Sequence, residues 1–168
     1  MMRTRAMLVG LLAAVALVAV QAAAGEGATT LRGDQLLEGS IACGSTTGDG
    51  TDGIYAMTGD LLGCWYTDTF VVTGQSPGGG LRASGTEHFV GCLNTNGNST
   101  CDTGEPYGTL STTFTFTGKF APTGAEIHGR CHHPIVEGTG GFEGASGVLS
   151  FKDIPSEGRF PYHGNLRF

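Results

Sequence analysis

Residues 110–120, which read LSTTFTFTGKF, decide the fold class of this chain. Leu110, Phe114, Phe116 and Phe120 fall on one parity, together with one threonine and one glycine, whereas serine, threonine and lysine occupy the other. Because successive side chains of a β-strand point to opposite faces, this alternation predicts a strand with one face in an apolar core.

The same alternation returns at the C-terminus, where Phe160, Tyr162, Leu166 and Phe168 share one parity. Segments rich in Gly, Pro, Asn and Asp separate the remaining apolar stretches, as expected for turns between short strands. About eight strands at this spacing predict an all-β fold, namely an eight-stranded antiparallel closed barrel or, as the alternative, a two-sheet sandwich. The other candidate strands are residues 36–43, 54–65, 67–75, 81–93, 126–132 and 147–152.

The N-terminus has the three parts of a secretory signal. Arg3 and Arg5 precede an apolar run over residues 6–20, and small residues follow at 22–24. We therefore expect residues 1–24 to be a cleaved signal peptide, residues 25–35 a flexible lead-in, and residues 36–168 one barrel domain of a secreted protein. The apolar run is shorter than the roughly 20 residues of a membrane-spanning helix, so no membrane span is expected after cleavage.

Composition narrows the range of partners. The chain of 168 residues has a formal net charge of −6 and no basic cluster along its sequence, which disfavours nucleic acid and anionic membrane surfaces. Glycine occupies 30 positions without a collagen-like period, which is typical of tight turns between strands.

Five cysteines in an exported chain predict disulfides and leave at least one cysteine over. Cys92 with Cys101 is the first choice, since the Asn/Gly-rich segment between them favours a turn that brings both ends together. Cys64 with Cys131 is the second choice, and other pairings remain open.

Residues 138–149 (GTGGFEGASGVL), a Pro/Gly turn and the aromatic strand 160–164 (FPYHG) resemble the C-terminal part of the allene oxide cyclase and dirigent barrels. The resemblance covers about the last forty residues and implies an eight-stranded barrel with a central apolar cavity and neither a metal nor an organic cofactor. The cyclases fold a reactive epoxide into a ring, and dirigent proteins steer the coupling of radicals. No catalytic side chain is carried over by motif, so the catalytic residues stay unknown.

Several side chains are candidates for binding a ligand in the lumen of such a barrel. Glu87 and His88 are neighbours on one strand, so one of them faces inward, where a carboxylate or imidazole serves acid–base chemistry. The alternative is a solvated charge or a hydrogen-bonded core group. The aromatic candidates, for which plain core is the simpler alternative, are Trp65, Tyr66, Phe114, Phe116 and Tyr162.

His133 completes the candidate set and belongs to the cluster Cys131-His132-His133. In an extended strand Cys131 and His133 share one side and His132 takes the other, together with His128. At most two ligands then face one site, so we predict no metal there. The oxygen-rich residues 94–105 lack the acidic pattern of a calcium loop, and we predict no metal there either.

Two functions remain. In the first, a secreted barrel binds a small apolar or aromatic molecule in its lumen and steers cyclisation or coupling of a reactive intermediate, as a cofactor-free cyclase-like protein. In the second, the barrel is a noncatalytic secreted or envelope-associated scaffold or interaction protein. Whether the protein is an enzyme is left open, and a homo-oligomer is compatible with the sequence.

Overall fold

Eight antiparallel strands close into a barrel in the computed structural model, which describes residues 27–36, 43 and 54–168. Each strand pairs with its neighbours in sequence, and the last pairs with the first, which confirms the barrel and not the sandwich. A short 3-10 helix, Pro155–Glu157, precedes the last strand. The strands are β1 (Thr29–Leu36), β2 (Ile54–Gly59), β3 (Leu61–Gln75), β4 (Gly80–Leu93), β5 (Tyr107–Phe120), β6 (Glu126–Gly140), β7 (Ser146–Asp153) and β8 (Arg159–Arg167).

The strand that closes the barrel lies where a flexible lead-in was expected, so that prediction is wrong for most of residues 25–35. β1 pairs with β8 along its full length, and Leu31 is fully buried. Its alternation is weak because two other inward positions are Gly33 and Gln35. The predicted signal peptide, and the predicted strand 36–43 apart from Leu36 and Cys43, lie outside the described residues.

The predicted strand 54–65 is two strands, because a tight turn at Gly59 and Asp60 separates β2 from β3. Gly59 has a φ of +92°, which favours glycine. The Asp60 carboxylate accepts the Arg32 N–H at 2.7 Å and links the turn to β1. The predicted break near residue 66 is instead a register shift between Thr67 and Thr69 within a continuous β3.

One end of the barrel is filled by side chains, and this end carries the turns β2–β3, β4–β5 and β6–β7. Phe142, in the turn after β6, is fully buried and packs edge-on against Phe89, with 6.0 Å between ring centroids. Core residues at or near this end include Leu31, Met57, Leu61, Leu93, Leu110, Leu149 and Leu166. The remaining space in the lumen is therefore displaced toward the opposite end.

Two disulfides lie on the outer side of the barrel wall. Cys92–Cys101 is confirmed, with 5.8 Å between Cα atoms, and closes the loop between β4 and β5. The predicted pair Cys64–Cys131 is wrong: Cys64 binds Cys43, and Cys131 is a free thiol. Cys64 lies on the outer side of β3, whereas Cys131 faces the lumen from the non-adjacent strand β6, so the barrel wall separates them.

Two disulfides are compatible with an oxidising, extracellular compartment. Within the described residues, no helix is long and apolar enough to cross a membrane.

Candidate functional site

A cavity of about 320 Å³ occupies the lumen toward the end where β3, β5 and β7 finish. This volume lies at the lower end of the ~300–1,000 Å³ typical of small-molecule pockets. Its aromatic wall comprises Tyr55, Phe70, Phe114, Phe116, Phe120, Phe151 and Phe160. Its polar side chains are Gln35, Thr67, Glu87, Glu126, Cys131, His133 and Asp153.

Strand alternation places the polar groups in the lumen as the sequence predicted for β6. Cys131 and His133 both line the cavity, whereas His128 and His132 are exposed on the outer surface. On β4 the inward residue is Glu87, which shares its face with the fully buried Phe89.

Glu87 and His133 form a buried hydrogen-bonded pair at the inner end of the cavity. The Nε2 atom of His133 lies 2.6 Å from Oε2 of Glu87. Trp65 Nε1–H donates to the same carboxyl at 2.7 Å, and the Thr67 hydroxyl donates to its other oxygen at 2.9 Å. Because all three partners can donate, they suit an ionised Glu87.

The other ring nitrogen of His133 is left without a partner. His133 is only 2% exposed, and its Nδ1 atom has no hydrogen-bond partner among the described residues. A carboxylate only accepts, so Nε2 carries the proton, and Nδ1 is the acceptor of a neutral ring or a second donor of a cationic one. The Trp65 and Phe151 rings pack edge-on around this imidazole at 5.2 and 4.8 Å between centroids.

A second acidic pair, Glu126 and Asp153, lies nearer the mouth and was missed by sequence reasoning. Glu126 begins β6 and Asp153 ends β7, and a Cβ added to Gly129 would collide with a carboxyl oxygen of each. Burial, followed by the hydrogen bond and charge of Asp153, raises the pKa of Glu126 to about 8. Burial also raises the pKa of Asp153, so the two carboxyls retain a proton at neutral pH.

A signal for Asp153, but not for Glu126, was present in the sequence, since Glu126 has the parity of the outward His128 and His132 on β6. Asp153 has the same parity as Leu149 and Phe151 on β7, and it pairs directly with Gly129. A carboxylate that continues an inward-facing apolar face is a candidate for a functional group.

The Cys131 thiol faces the same cavity but stays protonated. Burial, followed by the charge of Glu87, raises the pKa of the Cys131 thiol above its usual range. A neutral thiol is a weak nucleophile, so the acid–base capacity of the site resides in the carboxyls and the imidazole.

The structure brings together only part of the predicted set. Glu87, His133, Phe114 and Phe116 line the cavity, whereas Trp65 lies in the filled core of the barrel and contacts the site through its hydrogen bond to Glu87.

Tyr66, His88 and Tyr162 do not line this cavity, so their assignment to it is corrected. Tyr66 and His88 lie on the outer face, because they alternate with Trp65 and Glu87, and their rings stack at 4.8 Å. Tyr162 points inward but belongs to the filled core, where its hydroxyl accepts the Leu61 N–H at 2.9 Å.

No group of three or more His, Cys, Asp or Glu side chains within the described residues is arranged to hold a metal. In the loop 94–105 the carboxylate oxygens accept hydrogen bonds from other groups of the same loop. Asp102 accepts the side-chain amides of Asn96 and Asn98, and Glu105 accepts the backbone N–H groups of Thr95 and Asp102.

Comparison with protein-family models, with curated proteins and with solved structures gives no match to this chain. The evidence for the fold is the strand pairing described above. The resemblance to the allene oxide cyclase and dirigent barrels stays a prediction. The site consists of a ring-lined cavity, an imidazole–carboxylate pair at its inner end and a proton-sharing carboxyl pair near its mouth. These groups give the site its capacity for acid–base chemistry.

The outer wall carries a second feature that the linear sequence did not reveal. Arg32, Arg130, His132, Lys152 and His163 are all exposed on the outer faces of neighbouring strands. Register places Arg130 beside Lys152 and His163 beside Arg32. Basic side chains dispersed along the sequence thus gather on one face of an acidic protein.

Proposed function

We propose that this protein is a secreted barrel that binds a small, ring-bearing molecule in its lumen. The Glu87–His133 pair anchors a polar group of that molecule and supplies acid–base chemistry to it. The observation that carries this proposal is the buried imidazole, which lines an aromatic cavity and keeps one ring nitrogen unpaired.

The energetic reason is the cost of an unsatisfied polar atom. A buried hydrogen-bonding group without a partner costs roughly 1–3 kcal/mol, and a ligand atom that bonds Nδ1 recovers it. The seven aromatic rings of the wall offer flat apolar surfaces to a ring-bearing ligand.

Proton transfer follows from the same geometry. Nδ1 of a neutral His133 takes a proton from a bound group, while Glu87 on Nε2 stabilises the resulting imidazolium. Such a pair would suit cyclisation of a reactive intermediate, the chemistry that the resemblance to the cyclase barrels implies.

The proposal is tested by native mass spectrometry of the secreted protein before and after exposure to a metabolite extract of the organism that produces it. We expect a bound small molecule that denaturation releases. His133→Leu removes it, whereas His132→Leu, on the next residue but the opposite face, retains it. Circular dichroism spectra and thermal melting confirm that both variants fold.

A protein that stays empty in every preparation overturns the binding proposal. It would favour the scaffold or interaction function, which places no ligand in the lumen. If His133→Leu retained the ligand, the ligand would bind at another surface, and the assignment of the site to His133 would be wrong.

A further inference from the structure

We propose that the lumen selects a cationic ligand: a small ring-bearing amine whose ammonium group lies at the Glu126–Asp153 pair. This inference rests on the proposed function and names the ligand class of the same cavity. The ring of the amine lies among the phenylalanines, and its positive charge lies near the mouth.

The first support is the charge of the wall. Three carboxyl groups line the cavity, from Glu87, Glu126 and Asp153, and no Lys or Arg side chain among the described residues does. Arg159, at the start of β8, is held by Asp34 at 3.0 Å and Glu157 at 2.6 Å instead. A carboxylate ligand would meet repulsion here, whereas an ammonium group meets opposite charge.

The second support is the way the acidic pair is built. Gly129 lies beneath both carboxyls, and any larger side chain there would displace Glu126 and Asp153. The Oε1 atom of Glu126 is buried and has no hydrogen-bond partner among the described residues. Two convergent carboxyls with an unused acceptor match an ammonium group, which has only donors to offer.

The third support is the aromatic ring that lies next to the Glu126–Asp153 pair. A Cβ on Gly129 would also collide with the Phe116 ring, so that ring borders the carboxyls directly. Phe116 packs edge-on against Phe120 at 6.3 Å, and both line the cavity. An ammonium ion within about 6 Å of an aromatic face is attracted to it, more strongly where water is excluded.

The imidazole at the inner end points independently to a ligand. His133 is 98% buried and lines the same cavity with its Nδ1 unpaired, so the acidic pair is not an isolated surface cluster.

Cation binding is expected to expel the proton that the carboxyls share. Repulsion between Glu126 and Asp153 helps hold this proton, and an ammonium charge between them removes the repulsion. The other titratable groups that face the pair are Glu87, His133, Tyr55 and Cys131. Affinity for the amine should therefore rise as the pH increases from 6 to 8, with release of a proton at neutral pH.

Three probes that share one ring test the charge preference. We would titrate the full secreted protein with 2-(1-naphthyl)ethylamine, 2-(1-naphthyl)ethanol and 1-naphthylacetate by isothermal titration calorimetry at pH 7. We expect the amine to bind about tenfold tighter than the alcohol, which corresponds to a single well-placed charge interaction. The acetate should bind weakest. Repeating the amine titration in phosphate and in HEPES counts the released protons in the unmodified protein.

Matched variants test whether the ammonium group binds at Glu126 and Asp153. Asp153→Asn and Glu126→Gln should each remove most of the preference for the amine and the buffer-dependent heat. Glu137→Gln, an exposed carboxylate on the same strand as Glu126, should change neither.

Equal or tighter binding of the alcohol or the acetate overturns the cationic ligand class and leaves the proposed binding function standing. Binding of none of the three probes overturns the inference, and the extract experiment then decides separately whether the cavity binds anything. An amine preference that survives both carboxyl substitutions would also overturn it.

Discussion

His133 Nε2 and Glu87 Oε2 lie 2.6 Å apart inside the barrel although the two residues are 46 positions apart in sequence. They belong to β6 and β4, the two strands that flank β5. Glu87 pairs with Thr112, which pairs with Ile135, two positions from His133 on the same inward face. The barrel thus converts two distant polar residues into one hydrogen-bonded unit.

Glu87→Ala should strongly destabilise the fold. Trp65 Nε1–H, Thr67 Oγ1–H and His133 Nε2–H would lose their common acceptor, and removal of one partner from a buried pair costs about 3–5 kcal/mol. Urea denaturation followed by tryptophan fluorescence measures the change. Glu137→Ala, on the exposed face of β6, should stay within about 0.5 kcal/mol of the parent. Equal effects of both variants would show that the Glu87 contacts are not made.

Gly85→Ala should destabilise the barrel by about 1–3 kcal/mol. An added Cβ would collide with the backbone carbonyl of Thr69 and with the Phe114 ring, and the backbone cannot move aside without disturbing β3. Gly74→Ala is the matched control, because its nearest neighbour would be Arg82 Cβ at 3.9 Å. Thermal melting of both variants checks the prediction, which fails if Gly85→Ala melts like Gly74→Ala.

Replacing Cys92 and Cys101 together by alanine should cost about 2–3 kcal/mol, since the disulfide closes a loop between residues that are 9 apart in sequence. Denaturation curves with and without the disulfide give the difference. Peptide mapping of the unreduced protein should recover Cys92 linked to Cys101 and Cys43 linked to Cys64. A peptide linking Cys64 to Cys131 would contradict the structure.

The Cys131 thiol should resist alkylation in the folded protein. Its pKa is raised, first by burial and then by the charge of Glu87, so little thiolate forms at neutral pH. Iodoacetamide at pH 8 should modify Cys131 only after unfolding in urea, as read from intact mass. Rapid modification of the native protein would mean that the thiol is exposed or ionised.

Stability should fall as the pH rises toward 8, because of the Glu126–Asp153 pair. The folded pKa of Glu126, about 8, exceeds its unfolded value near 4.5, so the folded state binds more protons between these values. The favourable contribution is complete below pH 4.5 and is lost as the pH rises through about 8. Urea midpoints between pH 5 and pH 9 should decline in the parent and decline less in Glu126→Gln. Glu143→Gln, in the exposed turn before β7, should follow the parent.

The strands that sequence reasoning placed best have a mostly apolar inward face, such as β5 with Leu110, Phe114 and Phe116. Interpretation failed where the inward face is interrupted. β1 carries Gly33 and Gln35 at inward positions, so its sequence alone predicts a lead-in and not a strand. For β6 the sequence predicts an end at residue 132, whereas the strand continues to Gly140 past His133 and Pro134.

The candidate site, like the strands, could be predicted from the sequence only in part. Alternation alone placed Cys131 and His133 on one face and reduced Glu87 and His88 to one inward residue. It left undecided which of those two faces inward, and it did not single out Glu126 and Asp153, because they lie at strand ends where the pattern is short.

By itself, the sequence determined the strand alternation, the all-β class, the Cys92–Cys101 loop and the shared face of Cys131 and His133, since each depends on residues close together in the chain. Only the tertiary structure decided that Glu87 binds His133, that Glu126 and Asp153 lie side by side, that Cys43 pairs with Cys64, and that basic side chains gather on one outer face. These contacts depend on the register of neighbouring strands and on closure of the sheet, so no local pattern encodes them.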